Sequence, residues 1–196
     1  MTNWNDLVGQ LAILQREVAE RLDEPDLSAA PNPPATEHDI AAAEQRLGVS
    51  FDAVYRDFLR VCDGWTRFGT VHLFGARELG IGETWRRGSA FAEVYFATAA
   101  SGSLIVPKGY RRVLVGKTAA PQRFITMLFP TRPPRGANAC WDCMSGTDLC
   151  YPGFDIWAEE EAWGGGGGRR GGGGGGRPRA AWGGWAEPTP PPHPQS

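Results

Sequence analysis

Three cysteines in the last third of the chain have the spacing most suggestive of chemistry. Cys140 and Cys143 form a Cys-x-x-Cys pair, and Cys150 follows. A structural zinc site takes four ligands, commonly from two such pairs, and the sequence has no second pair. If Cys140 and Cys143 lie on one strand, their side chains point to opposite faces and cannot share an ion. We therefore expect half-buried free thiols, no metal and no cofactor; a redox pair would need a helix start that the sequence does not suggest.

A second motif, Gly116-Lys117-Thr118, resembles the end of a phosphate-binding loop. The complete loop needs another glycine five residues before Gly116, where Arg111 stands, and a helix after it, where Pro121 follows. Nucleophilic catalysis by serine or cysteine needs a histidine and an orienting acid. The chain has only 3 His, and His193 lies near its C-terminal end. The sequence thus predicts no catalytic residue, and we expect no enzyme.

The charged residues divide the chain into an acidic body and a basic tail. Residues 164–196 hold four arginines against Glu187, although the formal net charge of the whole chain is −2. This Gly-, Arg- and Pro-rich tail cannot bury enough apolar surface to offset chain entropy, so we expect it to be disordered. Its arginines, with Trp182 and Trp185, leave open an RNA- or DNA-binding role through phosphates and stacked bases. Only Arg170-Gly171-Gly172 matches the Arg-Gly-Gly spacing of RNA-binding tails, so the simpler interpretation is a passive linker. In the body, Glu159–Glu161 is interpreted as a solvated helix face rather than a metal site.

The elements that must position any site are best specified in Thr36–Trp65. Thr36 and Asp39 form a capping box that starts a helix, and Gly48 suits the left-handed residue at its end. A second helix follows, capped by Ser50 or Asp52, with a wide apolar face. Asp63-Gly64 predicts a turn that ends this helix and delivers Trp65.

The remaining patterns complete an α+β fold. Apolar residues recur at three- and four-residue steps over residues 3–22, which predicts an amphipathic helix that packs on its own domain or on a partner. After Trp65, short β-branched and aromatic runs between glycines and prolines predict about four to six mostly antiparallel strands. These runs are Gly69–Phe74, Ala90–Ala97, Ser103–Val106, Arg111–Val115, Arg123–Phe129 and Ala139–Met144. Phe154–Trp163 predicts a short closing helix, so helices pack on one face of a sheet.

The expected domain organisation follows from these patterns. It comprises an N-terminal helix (1–24), a linker (25–35), the α+β domain (36–163) and the tail (164–196).

The motifs of this domain resemble those of one known family. The pattern T-E-x-x-I-x-x-x-E-x-x-L-G, then Y-R-x-F-L-x-x-x-D-G-W, is similar to the opening of the SUKH superfamily of Smi/Knr-type cell-wall assembly regulators and bacterial immunity proteins. The residues that carry the resemblance are Glu44, Leu47, Gly48, Tyr55, Arg56, Phe58, Leu59, Gly64 and Trp65. Near the other end, Tyr151, Pro152 and Phe154 resemble the family's closing motif, which opens its last helix. The usual proline before the second helix is missing at Phe51-Asp52-Ala53.

The resemblance implies a non-enzymatic protein-binding module, most simply an immunity protein that neutralises a cognate toxin domain. A generic scaffold is an alternative. Exposed aromatic and charged residues are typical of binding faces, and the predicted partner-binding residues are Asp63, Trp65, Arg67, Trp85 and Trp141. For Trp65 the simpler interpretation is that it closes the core. The N-terminus has no apolar signal segment and no stretch is long enough to span a membrane, so we expect a cytoplasmic protein of undetermined oligomeric state.

Overall fold

The computed structural model describes residues 2–25, 29–98, 106, 108–118, 123–132, 140–144 and 147–164. All of the predicted tail (164–196) except Gly164, which ends α5, lies outside the described residues, and so does most of the predicted strand Ser103–Val106. The helices are α1 (Trp4–Leu22), α2 (Glu37–Leu47), α3 (Ala53–Val61), α4 (Glu83–Thr98) and α5 (Phe154–Gly164). The strands are β1 (Trp65–Phe68), β2 (Val71–Leu73), β3 (Tyr110–Lys117), β4 (Arg123–Pro130), β5 (Cys140–Met144) and β6 (Thr147–Tyr151).

Within the described residues, the strands form one six-stranded sheet whose spatial order is the order of the chain. All neighbouring strands are antiparallel. The central pair, β3 and β4, runs from Tyr110 opposite Pro130 to Lys117 opposite Phe124, with a register shift between Leu114 and Gly116. The predicted α+β class with a largely antiparallel sheet is confirmed.

A helical layer covers one face of this sheet. Helices α1, α3 and α5 all contact one another, and aromatic rings dominate the contacts, as burial of large rings favours. Trp4 of α1 meets Phe58 of α3 and Phe154 of α5, with ring centroids 5.2 and 5.6 Å apart. Tyr55 of α3 lies 5.5 Å from Phe129 of β4. The predicted N-terminal and closing helices therefore share one core with the predicted helix pair.

The opposite face of the sheet is covered by α4, where the sequence patterns predicted a strand at Ala90–Ala97. That strand prediction is wrong, and so is the expectation that all helices lie on one face. Three aromatic residues of α4 (Phe91, Tyr95 and Phe96) surround Phe124 of β4 at centroid distances of 5.7, 5.1 and 5.7 Å. Phe91 and Tyr95 stand four residues apart, which is the spacing of one helical turn, and Phe96 follows directly after Tyr95. The β-forming residue types in this run therefore serve the packing of a helix.

The predicted caps fix the ends of α2 and α3. The Asp39 N–H donates to the Thr36 hydroxyl (3.1 Å), and the Asp39 carboxylate accepts from the Thr36 N–H (3.1 Å). Gly48 ends α2 with φ of 62°. Asp52 caps α3 by accepting from the Tyr55 N–H at 2.6 Å. Each such cap stabilises a helix by about 1 kcal/mol, and Asp52 starts α3 although the proline expected before this helix is missing from the sequence.

Candidate functional site

Two of the five residues predicted to bind a partner lie inside the protein. Trp65 is buried among core aromatics, and its Nε1–H donates to the Ala29 carbonyl at 2.5 Å. Asp63 is also buried, and its carboxylate accepts from the Ala76 N–H. Both side chains are therefore occupied in holding the fold, as the simpler interpretation of Trp65 expected.

The other three predicted residues lie on different elements. Arg67 is half-buried on β1. Trp85 is half-buried on α4, and its Nε1–H donates to the Leu114 carbonyl at 3.0 Å. Trp141 pairs with Thr126 in the sheet, and its side chain lies outside the described residues. The structure thus does not bring the five together, and their contact with a partner stays a prediction.

The turn at Asp63 ties β1 to the loop that follows β2. Gly64 has φ of 80°, a conformation that favours glycine. A Cβ on Gly75 would lie 2.2 Å from the Asp63 carbonyl oxygen, so only glycine allows this approach. Burial raises the pKa of the Asp63 carboxyl, although the Ala76 N–H and Arg77 act in the opposite direction. The Asp-Gly signature is therefore a structural junction.

The acid of α2 in the predicted family motif also has a structural role. One oxygen of Glu44 accepts from the Phe51 N–H and the other pairs with Nη1 of Arg56, both at 2.7 Å. Arg56 also contacts Glu37 at 2.6 Å. Glu44 therefore holds the entry of α3, which explains why an acid and an arginine belong to the same motif.

The other motif residues build the core around this pair of helices. Leu47, Tyr55, Phe58, Leu59 and Phe154 are buried. Tyr151 is half-buried and Pro152 exposed where the chain enters α5. The closing motif thus places Phe154 in contact with Tyr55 and Phe58, at centroid distances of 4.9 and 5.0 Å.

Helix α5 has two chemically different faces, and the outer one is the best candidate for a binding site. Phe154, Trp157, Ala158 and Glu161 are buried. On the other side, Ile156 is 46% and Trp163 50% exposed, with Glu159 and Glu160 between them. These four side chains, at positions i, i+3, i+4 and i+7, share one helical face, which we call the outer face of α5.

A buried ionic network holds α5 against the sheet. Nη2 of Arg123 lies 2.5 Å from Asp142 and 2.6 Å from Glu161. The Trp157 Nε1–H donates to Asp142 at 3.0 Å, and the Thr70 N–H donates to Glu161 at 3.0 Å. Burial lowers the pKa of Arg123, but its hydrogen bonds to the two carboxylates outweigh this and raise it. The outer face is thus presented by a fixed helix.

Glu161 departs from the expectation that Glu159–Glu161 is a solvated face. Glu161 is buried, whereas Glu159 and Glu160 are exposed. Glu159 accepts from the Thr2 hydroxyl at 2.6 Å, which joins the start of α1 to the outer face. The spacing of Ile156 and Trp163 was the signal in the sequence that separates the two faces.

The other motifs considered for chemistry lie within the sheet. Cys140 pairs with Met127 and Cys143 with Phe124, so the two buried cysteines face opposite sides, as predicted for a shared strand. Gly116 and Lys117 belong to β3 rather than to a loop before a helix. Within the described residues, no group of three or more His, Cys, Asp or Glu is arranged to hold a metal. A helix long and apolar enough to cross a membrane does not occur in the described part of the chain.

The fold and this exposed face define an α+β domain built on an antiparallel meander, with a mixed apolar and acidic helix on its surface. Residues 34–113 match the model of the SMI1 / KNR4 family (SUKH-1). This match supports membership of the SUKH superfamily, whose domains are generally protein-interacting, and confirms the resemblance predicted from the sequence. A comparison with curated proteins found no match. The matched range runs from just before α2 into β3, so α5 lies beyond it.

Proposed function

We propose that this protein is a non-enzymatic immunity protein that acts in the cytoplasm, where it binds a basic toxin domain and neutralises it. The observation that carries the proposal is the outer face of α5. The family match supports the kind of domain, and the toxin is the partner class that the family resemblance implies.

The composition of the outer face suits a protein partner. Tryptophan is among the residues that contribute most to interface affinity, and Trp163 is half exposed at the end of α5. Ile156 adds a second apolar side chain seven residues, or about two helical turns, earlier. An exposed pair of this kind on a fixed helix loses little conformational entropy on binding.

The charge of the outer face indicates the charge of the partner. Glu159 and Glu160 lie between the two apolar residues, and both are exposed. Complementary charge accelerates association and disfavours wrong partners. A domain with a basic active surface, such as a nuclease toxin, fits this arrangement.

Co-expression with candidate toxins, sought first among the neighbouring genes, tests the proposal. We expect the protein to bind the toxin's C-terminal domain and to restore growth of cells that express it. Trp163→Ala should weaken binding at least about tenfold, as loss of an interface anchor does. Glu160→Lys should slow association and reduce its dependence on salt.

Matched controls lie on α4, across the sheet. Val94 is 63% exposed and Glu93 is exposed, so Val94→Ala and Glu93→Lys change similar chemistry away from the outer face of α5. Equal loss of binding in both sets would refute the assignment to α5. Binding to a protein without protection from a toxin would leave a scaffold rather than an immunity protein.

A further inference from the structure

A groove of about 460 Å³ lies between α4 and the ends of β3 and β4. Its lining includes Thr84, Arg87, Gly88 and Phe91 of α4, and Lys117 and Phe124 of the sheet. Its volume is within the range of about 300–1,000 Å³ typical of small-molecule sites. The groove is also where the Gly116-Lys117-Thr118 motif lies, although that motif forms no phosphate-binding loop.

The charges in the groove favour an anion. Arg87 and Lys117 both line it, and neither forms a salt bridge with a described carboxylate. Arg123 also lines the groove, but its charge is already matched by Asp142 and Glu161. Glu83 contributes a single carboxylate. Among the described residues, the groove therefore has two cations without a carboxylate partner and one acid.

The wall beside these cations is aromatic. Phe91 is 43% exposed and meets Phe124 edge to face at a centroid distance of 5.7 Å. A Cβ on Gly88 would lie 3.4 Å from Cδ of Lys117, so the stem of this lysine runs along the helix where the helix has no side chain. The cation and the exposed ring thus border the same space.

From this juxtaposition we propose that the groove binds a small organic anion that carries a flat apolar ring. Its phosphate or carboxylate head pairs with Lys117 and Arg87, and its ring packs on Phe91. Charge-assisted hydrogen bonds supply the head-group affinity, and ring burial supplies the remainder. The groove lies on the opposite side of the sheet from the outer face of α5, so this binding is independent of the proposed function.

Titration of the full chain with four probes tests the inference, with backbone amide NMR shifts of Gly88 and Lys117 as the readout. The two complete probes are AMP and 2-naphthoate, which distinguish a phosphate from a carboxylate head. The two half-probes are adenosine, which lacks the anion, and inorganic phosphate, which lacks the ring. We expect at least one complete probe to bind at least about tenfold more tightly than either half-probe, since each half loses one set of contacts.

Substitutions then locate the site. Lys117→Met keeps the stem against Gly88 but removes the charge, and Arg87→Ala removes the second cation. Each should weaken the complete probe about tenfold. Phe91→Ala should weaken the complete probe and leave phosphate unchanged. Lys108→Met and Arg86→Ala alter exposed cations that do not line the groove, and both should bind as the natural chain does.

Three results would overturn the inference. The first is the absence of shifts at Gly88 and Lys117 with all probes at millimolar concentration. The second is a pair of observations: adenosine binds as tightly as AMP, and 2-naphthoate binds the natural chain no more tightly than it binds Lys117→Met. Together they would show an apolar cleft without anion recognition. The third is equal weakening by the control substitutions, which would show non-specific attraction to the surface charge. Failure of toxin binding would affect none of these measurements.

Discussion

Replacement of Arg123 by methionine tests the buried network that holds α5. Arg123 bridges Asp142 and Glu161, whose side chains are each 5% exposed, while its own side chain is 20% exposed. Removal of one partner from a buried ion pair typically costs about 3–5 kcal/mol, because it leaves uncompensated charge in the interior. In this variant Asp142 still accepts a hydrogen bond from the Trp157 indole, and Glu161 still accepts one from the Thr70 N–H. We therefore expect the free energy of unfolding of Arg123→Met to fall by about 3 kcal/mol, the lower end of that range.

Urea unfolding followed by circular dichroism measures this loss. With a slope of about 2 kcal/mol per molar urea, the midpoint should fall by about 1.5 M. Arg86→Met, which truncates an exposed arginine of α4, should change the free energy of unfolding by no more than about 0.5 kcal/mol. Adding Asp142→Asn and Glu161→Gln to Arg123→Met should recover part of the loss, since no unpaired charge then remains. A loss below about 1 kcal/mol in the single variant would refute the argument that the network is desolvated.

Three further predictions concern the Asp63 junction and the residues around it. Burial raises the folded-state pKa of Asp63 above its ordinary value of 3.8, so ionisation of this carboxyl destabilises the fold as pH rises through that pKa. The free energy of unfolding of Asp63→Asn should therefore rise relative to that of the natural chain between about pH 4 and 7. A constant difference between the two proteins in urea titrations across those pH values would contradict this. Gly75→Ala should lower the free energy of unfolding by at least about 2 kcal/mol, because the new Cβ would meet the Asp63 carbonyl, whereas Gly9→Ala, in open space on α1, should raise it by about 0.5–1 kcal/mol in the same urea assay. Burial raises the pKa of the Cys62 thiol to about 12, so a variant that retains only this cysteine should react with a thiol reagent at about pH 8 only after unfolding, and rapid labelling of the folded protein would contradict its burial.

Local signals in the sequence predicted the helix pair because each signal is satisfied by nearby residues. The capping box at Thr36, the left-handed Gly48 and the cap at Asp52 all depend on contacts within one helical turn. Such interactions do not depend on where the rest of the chain packs. This stretch also lies within residues 34–113, which match the family model.

Helix α4 shows why residue types alone misassign an element. Its aromatic and branched residues favour strands, yet Phe91, Tyr95 and Phe96 pack around the one ring of Phe124. The helical conformation of α4 is decided by its packing on the sheet face opposite α1, α3 and α5, and that face is formed by strands later in the chain. The four-residue spacing of Phe91 and Tyr95 was present in the sequence, and packing on that face outweighs strand propensity.

The candidate binding face was hidden for a related reason. From the sequence alone, the acidic residues of α5 all appear solvent-exposed. In the structure Arg123, 38 residues earlier, pairs with Glu161 and fixes the rotation of the helix. That pairing turns Trp163 outward and Trp157 inward. Exposure of Asp63 and Trp65 could not be judged from the turn alone, because the loop that covers Asp63 comes after β2.

The contacts between the two ends of the domain also constrain how the protein is made. The meander adds each strand beside the one just synthesised, so the sheet can grow as the chain leaves the ribosome. Trp4, however, completes its packing only against Phe154, and Thr2 finds Glu159 across a separation of 157 residues. Helix α1 can therefore pack on Phe58 of α3 early in translation, but the part of its apolar side that meets α5 stays uncovered until nearly the whole domain has been translated.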